Sequence, residues 1–145
     1  MRSFNQQLER PAAMGAWGIG AFENDDAADW LCDLEESSNG ALIEAALQLN
    51  DAYLDAPGCV VAIAAAEVVA ALLGRPMAKL PRKAVAWVGR NQGLDGVALV
   101  PLCVAAIRRI RNDSELKDLW EESSEMSNWE ATLDDLVSRL TSRAL

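Results

Sequence analysis

The densest set of groups able to do chemistry lies in one stretch, Met14-Gly-Ala-Trp-Gly-Ile-Gly-Ala-Phe-Glu-Asn-Asp-Asp-Ala-Ala-Asp-Trp30. Asp25 and Asp29 are spaced i,i+4. Asp26, Asp29 and Asp33 run i, i+3, i+7 down one helical face. Like charges so placed repel unless something neutralises them. A hard cation such as Mg²⁺ or Ca²⁺, which takes oxygen ligands, would do so. Glu122 and Glu125 repeat the i,i+3 spacing. Two such pairs on separate helices, Asp26/Asp29 and Glu122/Glu125, would hold the ion and orient water. Arg108 or Arg111 would then meet phosphate. That scheme describes a cation-dependent hydrolase or transferase acting on phosphorylated small molecules.

The same residues have a plainer reading. Asn24 is a good N-cap, and Asp25 and Asp26 fall in the first helical turn, where the macrodipole favours carboxylates. Asp25-Asp26-Ala27-Ala28-Asp29 fits the DDxxD pattern of prenyl-diphosphate enzymes, but the chain is short for that fold and repeats no such motif. The Gly-x-Gly before the helix resembles a phosphate nest. No lysine follows it, and the neighbouring aspartates would repel phosphate. Arg108, Arg109 and Arg111 sit where a helix C-terminus favours cations, ready to pair with the acidic helix that follows.

Composition narrows the choice. The chain has 145 residues and no histidine. That removes the commonest general base, the Ser-His and Cys-His pairs and most zinc sites. Cys32, Cys59 and Cys103 are far apart, each in an apolar run. This usage fits reduced, buried thiols in a reducing compartment and a cytoplasmic location. A net charge of −9 argues against nucleic-acid and anionic-membrane binding and suits a basic protein partner.

These groups need a helical frame. Gly15, Gly18 and Gly20 make a tight loop that reaches φ > 0 and packs Trp17, Ile19 and Phe22 onto the body. Ala27, Trp30, Leu31 and Leu34 follow at helical spacing. A second helix is expected over residues 41–54, then a break at Ala56-Pro57-Gly58. Residues 59–73 are nearly all apolar but too short for a membrane span, so they form a central core helix. Its one charge, Glu67, either reaches the rim or is met by an arginine. Pro81 suits N1 of a fourth helix. A fifth begins between Asp95 and Pro101 and ends near Arg111, with Pro101 tolerable in its first turn. Asn112-Asp113-Ser114 caps a sixth. Ser127-Asn-Trp-Glu130 reads as a capping box opening the last helix, which buries Trp129, Leu133, Leu136, Val137 and Leu140. The expectation is an all-α fold of six or seven helices around an Ala/Val-rich helix, residues 14–145 forming one domain behind an extension, residues 1–13.

The opening motif closely resembles the signature of an uncharacterised bacterial family, the domain of unknown function 4259. Ala65-Ala-Glu-Val-Val-Ala-Ala-Leu-Leu-Gly74, Asp113-Ser-Glu-Leu-Lys-Asp-Leu-Trp-Glu121 and Trp129 with the final helix look similar too. The resemblance spans about residues 14–140 and implies no activity. The leading expectation is a cytoplasmic binding or interaction module, for instance an acidic immunity-type partner. Trp17, Asn24, Asp25, Asp26 and Asp29 are its candidate binding residues. An assembly role through the Gly/Trp loop is the remaining alternative.

Overall fold

The computed structural model describes residues 18–142. Trp17 and the proposed extension lie outside that span. The described chain forms α1 (Asp25–Glu35), α2 (Ala41–Leu47), α3 (Ala56–Leu72), α4 (Arg82–Arg90), α5 (Gly96–Asn112), α6 (Glu115–Glu121) and α7 (Met126–Thr141). The described residues include no strand.

Helix α3 organises the rest. It is apolar on every side, and its Ala, Val and Ile side chains are buried except Val61. It packs against all six other helices. Runs of alanine make this geometry available, because a small side chain lets neighbouring backbones approach. Both ends are closed by local chemistry. The Asp55 side chain accepts from the Gly58 N–H at 2.9 Å. At the other end Gly74 takes φ +83, the Gly74 N–H bonds the Ala71 carbonyl, and the Arg75 N–H bonds the Ala70 carbonyl. This is a Schellman closure, which favours glycine at that position.

The other helices are amphipathic and turn their stripes to α3 or to one another. In α1, Ala27, Trp30, Leu31 and Leu34 are buried, and Asn24 caps the helix by accepting from the Ala27 N–H at 2.8 Å. In α6 the Ser114 hydroxyl accepts from the Lys117 N–H at 3.0 Å and donates to the Ile110 carbonyl at 2.7 Å. In α7, Trp129, Leu133, Leu136 and Leu140 face inward.

Several boundaries depart from the sequence reading. Helix α2 stops at Leu47 rather than residue 54. The Arg109 guanidinium, reaching over from α5, donates to the carbonyls of Leu49 and Asp51 and so supports a non-helical path. Leu54 is still buried, at the end of an irregular segment. Ala56-Pro57-Gly58 is the first turn of α3 rather than a break, because a first-turn proline forfeits no helical bond. Pro81 is the N-cap of α4 rather than N1. Pro101 lies inside α5, beyond its first turn. Pro101 and Val97, whose carbonyl loses its donor, are both exposed, so water can satisfy that carbonyl. Helix α7 begins at Met126, ahead of the expected capping box, and the side chain of its N-cap Glu125 accepts from the Asn128 side chain rather than from a backbone N–H of the first turn.

Candidate binding cleft

The loop 18–24, helices α3 and α6 and the face of α7 enclose a cleft of about 430 Å³. Its walls are mostly apolar. Ile63 of α3, Leu116 and Trp120 of α6, and Trp129 and Leu136 of α7 contribute. The indoles of Trp120 and Trp129 stack, with centroids 6.4 Å apart and planes at 16°. Offset aromatic pairs of this kind hold their geometry beyond what area burial alone would do. Helical spacing explains the α7 wall: Asn128, Thr132, Asp135 and Arg139 recur at steps of four, three and four and share one edge.

The far end of the cleft is ionic. Glu67, only 5 % exposed on α3, receives a two-pronged bond from Arg139: Nη1 to Oε1 at 3.0 Å and Nη2 to Oε2 at 3.1 Å. Arg139 Nε donates to Asp135 Oδ2 at 2.8 Å, and Nη1 also reaches the Arg75 carbonyl at 3.2 Å. Arg75 returns the contact by donating to the carbonyls of Arg139 and Ser142. Burial pushes the Glu67 carboxyl above its ordinary value, and the bond and charge of Arg139 oppose that shift without cancelling it. Asp135 differs. Its side chain is 66 % exposed, it lines the cleft, and its second oxygen makes no bond to a described residue.

The glycines of the entrance loop serve a purpose the sequence did not announce. Neither Gly18 nor Gly20 has positive φ. Instead the loop wraps the Glu23 carboxylate: a Cβ on Gly18 would lie 2.5 Å from Glu23 Oε1, and one on Gly20 2.6 Å from it. The Gly20 N–H donates to that oxygen at 2.8 Å. A carboxylate of the chain itself therefore takes the donor that a phosphate nest would offer.

A family model described as Domain of unknown function (DUF4259) matches residues 15–132. The chain belongs to the DUF4259 family. Nothing matches among the curated proteins or among the solved structures. The DUF4259 match takes in the entrance loop, Glu67, Trp120 and Trp129, and it stops before Asp135 and Arg139.

Within this DUF4259 fold the residues singled out from sequence are dispersed. Asn24 lines the cleft, although its side chain is occupied capping α1. Asp25, Asp26 and Asp29 project from the first turns of α1, which packs on α3 and α4. Glu122 and Glu125 lie in the α6–α7 connection. Among the described residues, no three acidic, cysteine or histidine side chains come together as a metal site would require. Arg111 pairs with Asp134 and, at 3.8 Å, with Glu130, both on α7 rather than on the α6 helix that follows it. Arg108 is exposed and has no bonding partner among the described residues. Glu67 and the two tryptophans were visible in the sequence as a core charge and core rings. Asp135 and Arg139 were not singled out, and their only sequence signal is an i,i+4 acid–base pair on the last helix.

Proposed function

We propose that this DUF4259 chain is a binding module whose α3/α6/α7 cleft receives an aromatic, cation-bearing group of a basic protein partner. The cleft itself carries the reading: about 430 Å³, walled by stacked tryptophans and closed by Glu67, Arg139 and Asp135. That size falls in the usual range of about 300–1,000 Å³ for ligand pockets, and apolar walls with a few convergent polar groups are their usual chemistry. The sign of the partner follows from the charges. Arg139 is already engaged by Glu67 and Asp135, which leaves the second oxygen of the cleft-lining Asp135 as an acceptor. The chain as a whole carries −9, which attracts a basic surface at long range. No described helix is long and apolar enough to cross a membrane. All three cysteines are unpaired, which fits a reducing, cytoplasmic setting.

Phenethylammonium is a minimal probe, with 3-phenylpropionate as its anionic counterpart. Saturation-transfer NMR on the full chain should show the cation bound more strongly than the anion. Ala131→Trp, at an exposed position on the cleft wall, should plug the site and abolish the signal while leaving the melting temperature in place. Equal binding of both probes, or binding that survives the plug, would overturn the proposal.

A further inference from the structure

A second groove shares Met77 with the cleft just described. It has a volume of about 290 Å³ and is lined by Ala71, Met77, Leu80, Val85 and Val88 among others. Val85 is 53 % exposed, one of three exposed large apolar side chains among the described residues. The groove sits in an unusual stretch of charge. The chain has 22 acidic and 13 basic residues, yet between Glu67 and Asp95 there is no Asp or Glu, while Arg75, Lys79, Arg82, Lys83 and Arg90 all fall there.

The five cations are used differently. Arg75 is bonded to the end of α7. Lys83 and Arg90 turn toward α1: Lys83 Nζ lies 3.1 Å from the Cys32 sulfur and 3.8 Å from Glu35, and Arg90 donates to the Glu35 carbonyl. Lys79 and Arg82 are exposed and bond to none of the described residues. Leu80 lies between them in the chain, and Val85 is one turn of α4 beyond Arg82. In an acid-rich chain, two cations with no partner among the described residues, close in sequence to residues of an open apolar groove, form a complementary surface for the opposite charge.

We infer that this groove docks a short acidic protein segment, seating one apolar side chain against Leu80 and Val85 and its carboxylates on Lys79 and Arg82. Charge decides between this and other anions. A nucleic acid or an anionic membrane brings a dense field of charge against a body of −9, whereas a short segment needs only two or three carboxylates. The carboxylate–cation contacts set register and on-rate, and the apolar side chain supplies burial.

A dye-labelled synthetic peptide of alternating leucine and glutamate tests this by fluorescence anisotropy with the full chain. A leucine–lysine peptide, phosphatidylglycerol vesicles and a single-stranded oligonucleotide serve as comparisons. The acidic peptide should bind saturably. Lys79→Glu combined with Arg82→Glu should weaken it by about tenfold or more, as expected for reversing both charges that face it. Val85→Asp should weaken it as well. These three side chains are exposed, so the variants should melt with the parent. The Ala131→Trp plug of the neighbouring cleft should leave this binding unchanged, which separates the two sites. Failure of the acidic peptide to saturate, indifference to the double charge reversal, or stronger retention of the lysine peptide, vesicles or oligonucleotide would each overturn the inference.

Discussion

Removing Arg139 should cost stability in a way that depends on pH. In the folded chain Glu67 is 5 % exposed and its carboxylate is held by Arg139 Nη1 and Nη2. Arg139→Met keeps much of the side-chain volume and leaves that carboxylate buried without its cation. Breaking a buried pair from one side costs about 3–5 kcal/mol. Glu67 can escape part of this by taking a proton. Its ordinary value is 4.5, so staying protonated at pH 7 costs at most about 3.4 kcal/mol, at 1.36 kcal/mol per unit. At pH 5 the same arithmetic leaves about 0.7 kcal/mol. The sign follows from linkage: a carboxyl whose folded value is raised loses stability as pH rises through that value. The variant's deficit should therefore grow from pH 5 to pH 7. Urea unfolding followed by tryptophan fluorescence reads this as a midpoint shift of about 1–3 M at pH 7, for slopes of about 1–3 kcal/mol/M. Glu67→Met combined with Arg139→Met should return to within about 1 kcal/mol of the parent or exceed it, since apolar replacement of a whole buried pair is often neutral or stabilising. A deficit equal at both pH values, or a double variant as weak as the two single losses added, would refute the assignment of a buried, proton-linked pair.

Two further outcomes follow from the same contacts. The Asp134 carboxyl is held below its ordinary value of 3.8, first by the hydrogen bond from Arg111 and then by that residue's charge. Its stabilisation is present above about 3.8 and is lost as pH falls through the lower folded value, so Asp134→Asn should match the parent at the acid extreme and fall below it at neutral pH in a series of melts. Among the thiols, Cys32 is exposed, whereas burial pushes Cys59 up to about 11 and Cys103 up to about 12. Reaction with a disulfide reagent near neutrality should consume one thiol per native chain and three after denaturation, because the thiolate is the reacting form.

Much of the frame was legible because its determinants are local. Asn24 with Asp25 and Asp26 marks the start of α1, and the cap bond forms between residues three apart. The apolar run that became α3 was central for the reason read from it: a helix without a polar face must be surrounded. The boundaries that slipped were set from a distance. The early end of α2 depends on Arg109, sixty residues from Leu49. No pattern near residue 47 encodes that contact, and the local sequence would carry the helix on.

The cleft shows the same division more sharply. Each of its parts has a local sequence signal, but that signal names a structural element rather than a site. Glu67 is a lone charge in a core helix, Trp120 and Trp129 are members of apolar stripes, and Arg139 is one half of an i,i+4 pair. Their meeting joins Glu67 to Arg139 across 72 residues, a separation that composition and periodicity do not address. The Asp25–Asp29 cluster stood out because its members are adjacent in sequence, and a helix start already accounts for acidic residues there. A buried carboxylate has no such local explanation. It needs a partner, so in an all-helical chain without histidine the single charge in the most apolar helix was the residue that pointed furthest beyond its own neighbourhood. Where its partner docks, α7 crosses α3, and the groove left between their side chains is the cleft.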